Sequence, residues 1–113
     1  MAKRLSNSEK WEDEWFCNLK ERDRLFWIFL LDKCDHAGLW RVNRILVEFY
    51  FPGYKLDSKV FGDRVLVTKK GNWFIMKFIE FQYGHSQEKR NRNKAFASVW
   101  PILEKEGLDG LIR

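Results

Sequence analysis

The sequence predicts a mainly α-helical domain with a small antiparallel sheet, which is an α+β fold. Three observations predict it: capped segments with apolar residues at helical spacing, an unbroken apolar run at residues 25–31, and two apolar runs that flank a short turn containing Gly71. The chain has 113 residues, so we expect a single domain over residues 1–113.

Composition indicates how the core is stabilised and in which compartment the protein is expected. Aromatic residues make up 17% of the chain, which is enough apolar surface to build a core without disulfides or metal. Cys17 and Cys34 are the two cysteines, and no apolar run has the length of a membrane span. We therefore expect a cytoplasmic protein with no membrane partner and no cofactor.

The first predicted element is a helix over residues 8–19. Ser6 and Glu9 have the spacing of a capping box, and aromatic residues follow at helical intervals. Charged residues extend the apolar run at 25–31 on both sides, and Gly38 can stop the chain beyond it. This pattern predicts a central helix over residues 21–34 that is buried nearly all round.

A short strand and two more helices follow. We expect a strand at 39–42, a helix at 43–51 capped by Asn43, and a helix at 57–65 capped by Asp57 or Ser58. The second of these three elements should turn a stripe inward that consists of Ile45, Leu46, Phe49 and Tyr50. The residues expected in the core are Leu25, Trp27, Ile28, Leu31, Ile45, Phe61 and Ile75.

The last part of the chain predicts a hairpin and one further helix. Strands at 65–69 and 73–78 flank a basic tip, and the aromatic segment continues as far as Gly84. Residues 85–93 are polar, and a helix at 94–106 follows, in which Pro101 marks a kink or the first turn of a restarted helix.

The order of these elements is that of a winged helix-turn-helix. Residues 21–83 would form its core, residues 8–19 an extra N-terminal helix, and residues 94–108 a C-terminal helical segment. This scaffold is used mostly for nucleic acid and sometimes for self-association.

Positive charge is concentrated in the second part of the chain. Residues 1–37 carry seven Lys and Arg against eight Asp and Glu, whereas residues 38–113 carry fourteen against eight, so the net charges are −1 and +6. Six cations at the hairpin tip and in residues 89–94 suit contacts with phosphate, while the helix at 57–65 dilutes its cations with two Asp. The candidate DNA-binding residues are Lys69, Lys70, Asn72, Arg41, Arg44, Lys59, Arg64, Lys89, Arg90, Arg92 and Lys94.

Other chemistry has little support in the sequence. Cys34, Asp35 and His36 lie together, but only Cys17 and His85 remain elsewhere to complete a metal site. The glycines form no nucleotide-binding fingerprint, and no serine lies in a nucleophile pattern. We expect no metal, no catalytic residues and no small-molecule substrate.

Two segments carry a resemblance to a known family. The strings FWIFLLDKCDHAGLW (residues 26–40) and WFIMKFIEFQYG (residues 73–84) resemble the N-terminal winged-helix domain of phage replication proteins of the replisome-organiser type, which is related to DnaD-type primosomal proteins. The resemblance extends over about residues 10–108, and its two strings are mostly core and turn residues. Such proteins are usually longer, with a further C-terminal part.

The resemblance implies a role in phage DNA replication initiation, through DNA binding, self-association or contact with other replication proteins. Two functions follow as hypotheses. The first is a DNA-binding module that contacts mainly the phosphate backbone with weak sequence preference. The alternative is a protein-interaction or oligomerisation module that uses the same scaffold without binding DNA.

Overall fold

Helices dominate the computed structural model, which describes residues 6–84 and 86–111. His85, the five residues at the start of the predicted domain and the two at its end lie outside the described residues. The α-helices are α1 (Glu14–Cys17), α2 (Glu21–Lys33), α3 (Arg44–Tyr50), α4 (Phe78–Tyr83), α5 (Gln87–Arg92) and α6 (Val99–Glu106). The strands are β1 (Leu39–Trp40), β2 (Val65–Val67) and β3 (Trp73–Ile75), and 3₁₀ helices cover Ser8–Glu12, Ser58–Arg64, Lys94–Ser98 and Asp109–Leu111. The predicted α+β class is confirmed.

The predicted N-terminal helix is in fact two short pieces. Asp13 has an extended backbone and its side chain accepts a hydrogen bond from the backbone N–H of Trp15, so it caps α1 and separates it from Ser8–Glu12. Asn7, not the predicted Ser6, caps the first piece. The bounds of the central helix were predicted almost to the residue, since α2 runs over Glu21–Lys33. The expectation that it is buried nearly all round is wrong, because its buried residues are Phe26, Trp27 and Leu30.

Helix α3 begins after Asn43, whose side chain accepts a hydrogen bond from the backbone N–H of Leu46, as predicted. Its predicted inward stripe is wrong. Val47 is buried, whereas Ile45 is 86% exposed and Phe49 74% exposed. The helix is short and five of its seven residues are apolar or aromatic, so the sequence alone could not indicate which stripe faces the core.

The segment expected as a regular helix at 57–65 is a broken 3₁₀ helix. Asp57 caps it through the backbone N–H of Lys59, and Gly62 interrupts it with φ 60° and ψ −138°. Only glycine adopts that backbone conformation at low cost, so Gly62 fixes the interruption.

The three strands form one antiparallel sheet in the order β1-β3-β2. Leu39 pairs with Phe74, and Val65 pairs with Ile75. The predicted hairpin is present, with β2 and β3 joined by a turn in which Gly71 has φ 83° and donates to the carbonyl of Thr68. All three strands are shorter than predicted.

The prediction of strand through residue 78 is wrong at its end. The chain leaves the sheet after Ile75, and Phe78 opens helix α4, which ends at Gly84 with φ 104°. Phe78 packs directly on Gly38, where an added Cβ would lie 2.7 Å from the Phe78 Cβ. The sequence predicted neither α4 nor α5, because a short apolar run fits helix and strand equally and polar runs carry no periodicity.

The sheet separates two apolar clusters. On one face, Trp40, Trp73 and Ile75 pack with α2 and the 3₁₀ helix at 58–64. On the other face, Leu39 and Phe74 pack with side chains from α4, α6 and the adjoining 3₁₀ helix. The alternation of side chains along each strand assigns neighbours to opposite clusters, so the C-terminal helices cover a face that would otherwise be exposed.

Phe26 occupies the centre of the first cluster. Its ring is fully buried and lies within 6.2 Å, centroid to centroid, of six other aromatic rings. These rings belong to Phe29, Trp40, Phe51, Tyr54, Phe61 and Trp73. Tyr54 also donates to Asp23 at 2.6 Å, and burial together with this hydrogen bond raises the pKa of Tyr54 well above its ordinary value.

The predicted core is confirmed in part. Trp27, Phe61 and Ile75 are buried, and Ile28 and Leu31 are partly buried against the same cluster. Leu25 and Ile45 were wrongly assigned to the core, because Leu25 is 51% exposed and Ile45 lies on the free side of α3. An unbroken apolar run does not show which of its residues face outward.

Replacing Phe26 by alanine removes the central ring, and we expect a loss of about 3–5 kcal/mol of unfolding free energy, as for other large-to-small core changes. Urea unfolding followed by tryptophan fluorescence measures it. Leu25→Ala is the matched control on the same helix turn and should cost less than about 1 kcal/mol. Equal losses in the two variants would contradict this assignment of the core.

Candidate nucleic-acid interface

The turn between β2 and β3 presents two cations. Thr68 donates from its backbone N–H to the carbonyl of Asn72 at 2.8 Å, so the hairpin closes below the tip. Lys69 and Lys70 lie in the turn itself, and both side chains are exposed. The predicted basic hairpin tip is therefore available to a ligand outside the protein.

The base of this turn is fastened to the end of α6. The buried hydroxyl of Thr68 donates to one carboxylate oxygen of Glu106 at 2.8 Å, and the Asn72 side-chain amide donates to the other at 3.2 Å. The Thr68 hydroxyl also accepts from the backbone N–H of Asn72. A single carboxylate thus holds both sides of the turn, and charge-assisted hydrogen bonds of this kind are among the stronger ones.

The same turn contacts the loop between β1 and α3. The backbone N–H of Val42 donates to the side-chain oxygen of Asn72 at 3.4 Å. Arg41 and Arg44 flank Val42 closely in the chain, so this contact brings both arginines near the hairpin. Asn72, which the sequence predicted as a DNA ligand, uses its side-chain oxygen and nitrogen within the protein.

The two arginines of this loop differ in their surroundings. Arg41 forms an ion pair with Asp35 at 2.9 Å, and Asp35 is largely buried. The other oxygen of Asp35 accepts from the backbone N–H groups of Ala37 and Leu39, so Asp35 organises the turn before β1. Arg44 is exposed at the start of α3.

The short helix at 58–64 offers little to read bases. Lys59 is exposed, but the Arg64 guanidinium lies 3.9 Å from the centre of the Trp15 ring and near the carboxylate of Asp13. Arg64 therefore holds the N-terminal segment against the domain. Together with the interruption at Gly62, this leaves no continuous helical face of hydrogen-bonding side chains.

The basic segment after the hairpin is divided between structural and exposed residues. Arg90 is buried and its Nε donates to the carbonyl of Gly84 at 2.9 Å, which fastens α5 to the end of α4. Arg92 pairs with Glu88 one turn away on the same helix. Lys89 and Lys94 are exposed.

Eight of the eleven predicted site residues are exposed cations, and two of these eight, Arg41 and Arg92, form ion pairs within the protein. The structure brings the base of the hairpin turn and the β1–α3 loop together, while α5 is attached to the end of α4. Two further residues that matter to the hairpin, Thr68 and Glu106, were missed. They are 38 positions apart in the chain, and no local pattern indicates that they meet. The exposed cations of the set are Arg41, Arg44, Lys59, Lys69, Lys70, Lys89, Arg92 and Lys94.

The residues considered for a metal site have other contacts. The Cys34 thiol is buried beside the carbonyl of Leu31, and the Nε2 of His36 lies 2.9 Å from the hydroxyl of Ser98. Among residues 6–84 and 86–111, no group of three or more His, Cys, Asp or Glu is placed to hold a metal ion. Within the same residues, no helix has the length and apolar character needed to cross a membrane.

A cavity of about 370 Å³ lies between the N-terminal segment, α2 and α4. Aromatic side chains form part of its wall, and its charged residues have both signs, so it presents no consistent field for an anion. The charged residues are Lys10, Arg64, Lys77, Asp13, Asp32 and Glu80.

Comparison with protein-family models, with curated proteins and with solved structures finds no match for this chain.

Glu106→Ala would leave the buried Thr68 hydroxyl and the Asn72 amide without their acceptor. We expect a loss of about 1–3 kcal/mol of unfolding free energy and faster hydrogen exchange of the Gly71 and Asn72 amides. Lys105→Ala, at the exposed neighbouring position, should change stability by less than about 0.5 kcal/mol. Unchanged exchange at Gly71 and Asn72 in the Glu106 variant would show that the hairpin does not depend on this carboxylate.

Proposed function

We propose that this domain is a DNA-binding module that contacts mainly the phosphate backbone. The single observation that carries the proposal is the exposed pair Lys69 and Lys70, on a turn hydrogen-bonded to the loop that positions Arg44. Three cations from two adjacent segments suit a polyanion better than a single acidic side chain, because phosphates repeat along the backbone.

The arrangement of elements supports a winged-helix interpretation of the scaffold. Helix α2, β1, α3, the 3₁₀ helix at 58–64, β2 and β3 follow one another in the order of that motif, and the sheet order β1-β3-β2 allows the β2–β3 hairpin to act as the wing. In this interpretation the 3₁₀ helix at 58–64 stands where a reading helix is expected. Its interruption and its acidic neighbours favour weak sequence preference.

The biological setting of the proposal comes from the resemblance of residues 26–40 and 73–84 to phage replisome-organiser proteins. It supports a role in the initiation of phage DNA replication in the cytoplasm, by a binding protein and not by an enzyme. Neither Cys17 nor Cys34 is in a disulfide, which is compatible with such a reducing compartment.

A second candidate function is a protein-interaction module that does not bind DNA. The observation that favours it is the exposure of Ile45, an aliphatic side chain that has nothing to offer a phosphate or a base edge. The two functions differ in their response to salt. Phosphate binding weakens linearly on a log-log plot of affinity against salt, whereas apolar contacts respond little.

Replacing Lys69 and Lys70 together by alanine should weaken binding to unrelated duplexes by similar factors. Because each phosphate contact contributes close to one unit, the log-log salt slope should become shallower by up to about two units. Fluorescence anisotropy with several labelled duplexes across a salt series measures both quantities.

The matched control replaces Lys20 and Lys33, at the two ends of α2, which removes the same net charge outside the proposed surface. It should weaken binding far less. Equal weakening by both double variants would show that net charge, and not the hairpin, attracts DNA. Wild-type protein without affinity for duplex or single-stranded DNA at low salt would overturn the proposed function.

A further inference from the structure

The most exposed apolar surface of the described chain lies on α3. Ile45 is 86% exposed, Phe49 74% and Tyr50 60%, although all three are large apolar or aromatic residues. The rings of Phe49 and Tyr50 touch edge to face at 4.8 Å, and Tyr50 leans against Phe29 of α2 at 6.4 Å. Ile45 lies one helical turn before Phe49 on the same side of α3, so the three side chains form one patch, and clusters of this kind mark interaction surfaces.

The charges beside this patch follow a self-complementary pattern. Arg44 and Glu48 are one turn apart on α3, both exposed, and they lie on the same flank of the stripe made by Ile45 and Phe49. When two copies of one helix pack antiparallel about a two-fold axis, equal flanks face each other in reverse direction. Arg44 of one copy then faces Glu48 of the other, and this happens twice.

We propose that the α3 face, Ile45, Phe49 and Tyr50 flanked by Arg44 and Glu48, binds the same face of a second copy of this chain. A different protein would need a matching acidic and basic pair of its own, whereas a second copy supplies it by symmetry. The inference does not rest on DNA binding, so either proposal can fail alone.

The area of the patch sets the expected strength. Three mostly exposed side chains of this size present on the order of 400 Å² of apolar surface. Stable interfaces bury about 800 Å² per partner, so the flanking charges and neighbouring residues must supply the rest. We therefore expect a weak dimer that depends on protein concentration and, through its ion pairs, on salt.

The test is sedimentation velocity of the full chain at low salt over a range of about 10 μM to 1 mM. Wild-type protein should shift from monomer to dimer within this range. Arg44→Glu alone and Glu48→Arg alone should each dimerise at least about tenfold more weakly, because like charges then face each other. An equimolar mixture of these two variants should form a heterodimer at least as readily as wild type dimerises, because every facing pair in it is again opposite in charge.

Two further variants separate loss of the α3 face from loss of folding. Both carboxylate oxygens of Glu48 lie 3.2 Å from the backbone nitrogen of Gly53, so Glu48→Arg also removes a local contact, and thermal melting must show that the variant folds. Phe49→Ala leaves that contact in place and should abolish dimerisation over the same range. Phe81→Ala, at an exposed phenylalanine on α4, should leave it unchanged.

Three results would overturn the proposed dimer. Wild-type protein that stays monomeric throughout the range, or a mixture that associates no better than its components, rules out the second copy as the occupant. If Phe49→Ala weakens binding of an oligothymidylate without changing sedimentation of the protein alone, the face stacks on unpaired bases instead.

Discussion

The burial of β3 on both faces is the constraint on which the rest of the fold depends. Trp73, Phe74 and Ile75 are all buried, and they alternate between the two apolar clusters. A strand of three residues offers few backbone hydrogen bonds, and two- or three-stranded sheets of this size are marginal alone. Helices on both sides exclude water from the sheet, and the sheet contributes buried side chains to both clusters. Removing either helical layer would expose one face of the sheet to water.

The elements with strong local sequence signals were predicted correctly. The central helix, the Asn43 cap and the glycine-containing hairpin turn each depend on neighbours in the chain, and all three are present. The charged flanks of α2 and its apolar centre left few alternatives. These elements give the α+β class and the position of the basic tip.

The features that depend on contacts between distant segments of the chain were predicted wrongly. The chain after β3 is still rich in apolar residues at Phe78, but there it has already turned into helix α4, where the Phe78 ring packs on the distant Gly38. The sequence around Arg90 predicts a surface cation, but Arg90 is buried and donates a hydrogen bond to the Gly84 carbonyl, so its role is structural. The inward stripe of α3 was predicted wrongly for the same reason, because packing against the first apolar cluster determines which side of α3 is covered.

The fastening of the hairpin by Glu106 has a thermodynamic consequence. Because one carboxylate restrains both sides of the turn, Lys69 and Lys70 lose less conformational freedom when they meet an anion than they would on a loose loop. The link is also reciprocal: if the ordered turn binds an anion more tightly than a disordered turn, the anion stabilises the ordered turn, together with its hydrogen bonds to Glu106, by the same free energy. An anion bound at the tip would thereby stabilise the end of α6, which joins the second apolar cluster through Leu103 and Leu108 on either side of Glu106 in the chain.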